Sequence, residues 1–196
     1  MNADSALILA GGKSTRMGYD KKRLALDGVR VMDSLISGLG SLFKEVLVSS
    51  NEPFARENVV IVYDELGAGP LAGIYQGLKH CRSDYLYVIA CDMPFISAEY
   101  IRYVRDIVIA ARADACIARR HDGFYEPFNS FYSKRCMGPI HDALIRQEYK
   151  IRPVLDKLNL YIVEPWIVEQ YAGKDMFFNI NRQEDLKRAE IMSAGD

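Results

Sequence analysis

Nothing in this chain is built to cross or approach a membrane. Its apolar runs, such as Tyr85–Cys91, are strand-sized, far short of the roughly 20 residues a spanning helix needs. The N-terminus has neither a basic n-region nor a long apolar core, because Leu7-Ile8-Leu9-Ala10 runs straight into glycines. A secretory signal is therefore not expected, and a cytoplasmic location is. Cysteine is scarce: Cys81, Cys91, Cys116 and Cys136 form no CxxC pair, which reads as reduced thiols in the core or at a site edge rather than a disulfide framework. Histidine is scarcer, and His80, His121 and His141 show no HxxxH or HxH spacing, so a zinc site lacks ligands. An excess of one charge is also missing. The 25 Lys+Arg and 26 Asp+Glu leave a net charge of -1, which excludes a general nucleic-acid binder. There is no Pro/Ser linker and no internal repeat. A length of 196 residues with 49% hydrophobic and 26% charged residues suits one domain over 1–196, large enough for its own core.

The even charge balance hides one local excess. Lys13, Arg16, Lys21, Lys22 and Arg23 stand close together with a single carboxylate, Asp20, among them. The surrounding pattern says where they sit. Ala6–Ala10, Val46–Ser50, Val59–Tyr63, Tyr85–Cys91 and Asp114–Arg119 read as strands, several apolar at nearly every position, as parallel strands covered on both faces are. Val31–Phe43, Leu71–Lys79 and Ala98–Ala111 carry helical periodicity, with Pro70 at a first helical position and Ser97 as an N-cap. The alternation predicts an α/β fold of three layers, α/β/α, around an open and mostly parallel sheet. After residue 120 the rhythm changes. Phe124–Ser133 is extended, Met137–Gln147 and Pro153–Leu158 are helical, and Leu160–Glu164 is a strand followed by a loop. Gln183–Ser193 then closes the chain as a helix.

Ligands in such sheets bind at the carboxyl ends of strands, so the residues after each strand carry the weight. Gly11-Gly12-Lys13-Ser14 follows the first strand but is not a Walker A loop, since GxxxxGK[ST] requires a glycine where Leu7 stands. Gly67–Gly73 spells GxGxxxG rather than GxGxxG, and Pro70 removes an amide donor. A glycine pair after a buried strand, with five cations nearby, still suits phosphate binding through backbone amides. The bland alternative is a solvated surface turn. Asp92, at the tip of the Tyr85–Cys91 strand, either caps the next segment or ligates Mg²⁺ that bridges nucleotide phosphates. In Phe178-Asn179-Ile180-Asn181 the spacing favours Asn181 as the N-cap of the last helix, with Asp185 in its first turns.

These motifs resemble a known family. Leu9 to Lys21 is similar to the LAGGxSxRMGxDK signature of the MobA-type molybdenum cofactor guanylyltransferases. Gly69–Ile74 (GPLAGI), Cys91–Phe95 (CDMPF), Tyr125–Phe128 and Phe178–Asn181 with Glu184-Asp185-Leu186 follow in the family's order, so the likeness covers nearly the whole chain. It implies a Rossmann-like, glycosyltransferase-A-like nucleotidyltransferase fold, with a nucleotide-binding part over about 1–120 and an acceptor-binding part over about 121–196. It also implies an enzyme that moves GMP from GTP onto molybdopterin-bound molybdenum cofactor and releases pyrophosphate, with Mg²⁺. Leu9, Ala10, Gly11, Gly12, Lys13 and Lys21 would contact GTP, Asp64 with the Ser49–Asn51 turn would surround the base, and Asp92 would hold the metal. Asn179 and Asn181 would lie near the transferring phosphates, and cofactor-insertion proteins and target molybdoenzymes are the protein partners it suggests. Two departures are visible: Ser49 stands where some members carry Asn, and Gln183 replaces a Pro.

The chemistry has a physical logic of its own. A phosphate monoester acceptor is already anionic at neutral pH, so the difficulty lies in bringing two polyanions into line. Lys21, the loop amides and a metal on Asp92 suit that task, with Arg16 and Lys13 on the leaving pyrophosphate. A carboxylate such as Asp64 accepts from guanine's ring N–H and amine, a pattern cytosine does not present. CTP-dependent or sugar-phosphate nucleotidyltransferases, and a non-catalytic nucleotide-binding homologue, are the competing readings. Arg119, Arg120, Glu126 and Arg152 are candidates for the pterin by position alone.

Overall fold

Side chains on a strand alternate between faces, so strands that are apolar throughout need cover on both sides. A computed structural model describes residues 1–10, 24–50, 59–63, 69–173 and 175–194, and the alternation is carried out in it strand by strand. β1 (Ser5–Leu9), β4 (Glu45–Ser49), β5 (Val60–Val62), β6 (Tyr85–Ala90), β7 (Ala115–Arg119), β8 (Tyr125–Ser133) and β9 (Leu160–Val163) form one sheet in the order β5-β4-β1-β6-β8-β7-β9. Ala6, Ile8, Val46, Val48, Tyr87 and Cys116 face one layer, against α1 (Val31–Leu42), α3 (Ala98–Ala111), α6 (Pro165–Ala172) and α7 (Gln183–Ser193). Leu7, Leu9, Leu47, Leu86, Val88 and Ile117 face the other, against α2 (Pro70–His80), α4 (Met137–Ile145) and α5 (Arg152–Leu155). The three-layer expectation is met.

Pairing is parallel between β4 and β5, β4 and β1, β1 and β6, and β7 and β9, while β8 runs antiparallel to both β6 and β7. One reversed strand between two parallel groups leaves β6 and β7 pointing the same way. The carboxyl ends of six strands and the start of β8 therefore meet along one edge.

Element ends mostly fall within a residue or two of the expected bounds. Ser97 caps α3, its hydroxyl accepting from Tyr100 N at 3.1 Å, and Pro70 occupies the first turn of α2. Two readings need correction. The loop expected after β9 is helix α6, because Pro165 starts a helix rather than breaking one. The last helix is capped at Arg182, not Asn181: Asp185 reaches back to accept from Asn181 N at 3.0 Å and Arg182 N at 2.9 Å, leaving Asn181 outside the helix. A small hairpin of β2 (Ala25–Leu26) and β3 (Val29–Arg30) was not anticipated, although its Asp27-Gly28 turn, both residues at positive φ, is a standard hairpin signal.

Helix α2 lies close on the sheet because of its glycines. A Cβ added at Gly77 would stand 2.5 Å from Leu7 Cδ2 and 2.8 Å from Leu86 Cδ2, both buried. Overpacking of this kind costs about 1–3 kcal/mol and outweighs the gain of about 1 kcal/mol in helix propensity. We expect Gly77→Ala to lower the melting temperature. At Gly40 in α1, where a Cβ meets nothing within 4 Å, the same change should hold or raise it. Thermal denaturation of the two variants checks the pair.

Candidate active site at the carboxyl edge of the sheet

Main-chain bonds staple the strand tips together just beyond the ladders. Ala10 N donates to Ser49 O (2.9 Å), Cys91 N to Leu9 O (3.1 Å) and Ser50 N to Val62 O (3.1 Å). Leu9-Ala10, Ser49-Ser50 and Cys91-Asp92 are thus neighbours at the edge, as strand order alone suggests. The start of α2 presses on the same tips, since a Cβ at Gly73 would stand 2.6 Å from Leu9 Cδ2 and 3.1 Å from Ser49 Oγ. That close approach covers the Ser49 hydroxyl, which is buried under the helix.

Asp92 stands one residue beyond Cys91 and is 8% exposed. Its carbonyl accepts from Ile180 N at 2.9 Å, which draws the Phe178–Asn181 segment from the far end of the chain onto the tip of β6. Within that segment the Asn179 amide donates to Phe177 O at 3.0 Å. Asp92, Asn179 and Asn181 are therefore brought together around one turn. Gly11, Gly12, Lys13, Arg16, Lys21, Asn51 and Asp64 lie outside the described residues.

A residue that the sequence did not single out organises the approach. Asn129 is fully buried in β8 at φ 52°, in the left-handed region that Asn tolerates better than most residues. Its carbonyl oxygen accepts from Tyr87 OH at 2.6 Å, and its amide donates to Met176 O at 3.3 Å. It sits in a bulge, for β8 pairs Phe131 with Cys116 but Glu126 with Ala118. Tyr132 OH donating to Pro127 O (2.6 Å) and Ser130 Oγ donating to Glu126 O (3.1 Å) hold the bulged chain. The sequence signal was an Asn-Ser pair inside an otherwise aromatic strand, Phe128 to Tyr132.

The bulge turns Glu126 inward, where it is 6% exposed. Burial raises its pKa to about 7, against the lowering influence of the Phe128 N–H and of Arg120, while Asp92 adds to the rise. The other acceptor candidates are engaged. Arg119 pairs with Glu164, Arg120 with Asp122 (2.8 Å), and Arg152 with Asp156 (2.8 Å) while lying over the Tyr125 ring at 4.2 Å. The four cysteines are buried and none forms a disulfide, and burial pushes the thiols of Cys116 and Cys136 up to about 12, which makes those two inert. Among the described residues no three His, Cys, Asp or Glu side chains cluster as a metal cage. No helix described is long and apolar enough to cross a membrane.

A strand-tip carboxylate, with a glycine-rich sequence following β1, at the carboxyl edge of a mostly parallel three-layer sheet is the arrangement of an α/β nucleotide-binding fold. Residues 6–161 match the MobA-like NTP transferase domain, and the chain belongs to that family. The molybdenum cofactor guanylyltransferase of Syntrophotalea carbinolica is 39% identical over 192 residues, covering 96% of this chain and 91% of that one. Molybdopterin-guanine dinucleotide biosynthesis protein A from Archaeoglobus fulgidus shares the fold with a TM-score of 0.87 at 24% identity, covering 98% of this chain and 100% of that one. The 2-C-methyl-D-erythritol 4-phosphate cytidylyltransferase of Thermus thermophilus shares it at a TM-score of 0.70 and 18% identity, over 98% and 100% of the two chains.

Glu126 yields a pH prediction. A carboxyl whose pKa is higher folded than unfolded binds its proton more tightly in the fold, so its contribution is full below the unfolded value and is lost as pH rises. For Glu126 that window runs from 4.5 to about 7. The metal-free protein should lose stability across this window by up to about 3 kcal/mol, at 1.36 kcal/mol per unit. Glu126→Gln should flatten the slope, read from denaturant midpoints at pH 4.5, 6 and 7.5. An equally steep slope in the variant would contradict the assignment.

Proposed function

We propose that the protein transfers GMP from GTP to molybdopterin-bound molybdenum cofactor, giving the guanine dinucleotide form and pyrophosphate. The observation that carries this reading is the joining of Asp92 to the Phe178–Asn181 segment by the Ile180–Asp92 main-chain bond, at the strand tips where the Leu9–Lys21 motif begins. Family membership and the name borne by the relative from Syntrophotalea carbinolica support it.

The donor set suits a hard divalent cation. Asp92 stands at the β6 tip with Asn179 and Asn181 flanking the residue bonded to it, and the protein supplies no thiolate or imidazole cage among its described residues. Mg²⁺ keeps most of its sites for water and phosphate oxygen, so one protein carboxylate is adequate. We assign Mg²⁺ to Asp92; when bound it neutralises and orients the phosphates. Leu9 to Lys13 hold the triphosphate through main-chain amides, Lys21 and Arg16 offset its charge, and Asp64 with the Ser49–Asn51 turn takes the base. Asn179 and Asn181 face the transferring phosphates. The acceptor phosphate is ionised before it arrives, so alignment of the two anions is the catalytic contribution. The nucleotide part over about 1–120 and the acceptor part over about 121–196 work as one unit, since strands from both share the sheet.

Pyrophosphate release from GTP or CTP, with molybdopterin and Mg²⁺, tests the reading. Turnover with GTP is expected, and turnover with CTP alone would overturn the base assignment. Asp92→Ala should lower kcat at least about 100-fold, as loss of a metal-based electrostatic contribution does, with the melting temperature nearly unchanged. Lys21→Ala should also cost rate strongly, and an unaffected rate would remove Lys21 from the site.

A further inference from the structure

Asn129 touches the Asp92 junction from three sides. Its amide nitrogen donates to Met176 O at 3.3 Å, two residues before Phe178, and lies 3.7 Å from the sulfur of Met93, which follows Asp92. Met93 N in turn donates to Ala90 O at 3.1 Å and closes the turn on which Asp92 stands. The Asn129 carbonyl oxygen accepts from Tyr87 OH at 2.6 Å, in the strand that leads into that turn. One side chain from β8 thus contacts the strand before Asp92, the residue after it, and the segment from the far end of the chain that bonds to it. Asn129, Tyr87, Met93 and Met176 are all buried, where a hydrogen bond is stronger than in water.

The partners also set which way the amide faces. A main-chain carbonyl only accepts, so the Asn129 atom facing Met176 O is the NH₂ group. The opposite atom is then the carbonyl oxygen, and the Tyr87 hydroxyl must donate to it. The Tyr87 ring is itself held, stacked on Phe43 at 5.5 Å and tilted against Phe131 at 5.1 Å. The Asn129 backbone is equally constrained, since φ 52° suits Asn, Asp or Gly and few others. A side chain that served packing alone would be apolar here, because a buried amide is costly unless both its ends are bonded.

We propose that Asn129, locked by Tyr87, is a positioning residue for the transfer reaction. It sets where Asp92, Asn179 and Asn181 stand relative to one another and, being fully buried, touches no substrate itself. This rests on the reaction proposed above. Loosening Asn129 misaligns the reacting groups while the surfaces that bind the substrates stay in place, and a misplacement of about 1 Å costs roughly 100-fold in rate.

Two matched tyrosine variants test it. Tyr87→Phe removes one hydroxyl, keeps the ring between Phe43 and Phe131, and leaves the Asn129 oxygen without its donor. Tyr85→Phe is the control, deleting a buried hydroxyl that donates to Ala113 O at 3.0 Å at the start of the same strand. Both should lower the melting temperature by similar amounts. In steady-state GMP transfer by the full chain, Tyr87→Phe should lower kcat about 10-fold, and Asn129→Gly, which keeps the left-handed backbone, about 100-fold. KM for GTP and for molybdopterin should stay nearly unchanged in both, and Tyr85→Phe should keep the wild-type kcat. Without substrates or metal, the Ile180 N–H should exchange with solvent faster in Tyr87→Phe than in Tyr85→Phe. A wild-type kcat in Tyr87→Phe, an equal loss of kcat in the two tyrosine variants, or a change confined to KM overturns the positioning role and leaves the reaction standing. Equal Ile180 exchange in the two tyrosine variants overturns it too. Absence of wild-type turnover with GTP counts against the reaction itself, and the exchange comparison then decides the role of Asn129 alone.

Discussion

The hydrogen bond from Ile180 N to Asp92 O, 2.9 Å long, joins a turn in the first half of the chain to a segment just before the last helix. Everything at the working edge depends on it. It brings Asn179 and Asn181 to Asp92, and it places Phe178 in the wall of a neighbouring cavity. Asn129 supports the same junction from beneath: its amide holds Met176 O, while Tyr87 OH fixes the amide's orientation. A buried polar group of this kind is costly unless fully bonded, and here both ends of the side chain are engaged.

Reversal of one strand is the second constraint. A fully parallel sheet would place the start of β8 at the opposite edge. Because β8 runs against β6 and β7, its first residues arrive among the carboxyl ends of their neighbours, and the bulge at Asn129 then rotates Glu126 into the interior. The carboxyl group pays a desolvation cost there, visible in its raised pKa. Bulges beside active sites commonly re-aim a side chain in this way.

Much of this was legible in the residues, for identifiable reasons. α3 and α7 have the bounds their periodicity predicts, because capping side chains and amphipathic spacing act locally. Asp92 stood out because an acid ended a wholly apolar strand. Helix α6 was missed because Pro165 with the β-branched Ile167 and Val168 discourages a helical reading, and tertiary packing of Val168 into the core overrides that preference. The role of Asn129 was beyond sequence reading, because it depends on a backbone conformation set by two neighbouring strands.

The strand order also governs how the chain assembles. β7 and β8 are joined by only five residues, 120 to 124, yet β8 must lie between β7 and the earlier-made β6. β7 therefore cannot dock on β6 by itself. The outer edge of β6 is paired in the fold only by β8, which carries β7 as its other neighbour. During synthesis that edge has no native partner until the chain has been made as far as Ser133, the residue that pairs with Tyr85.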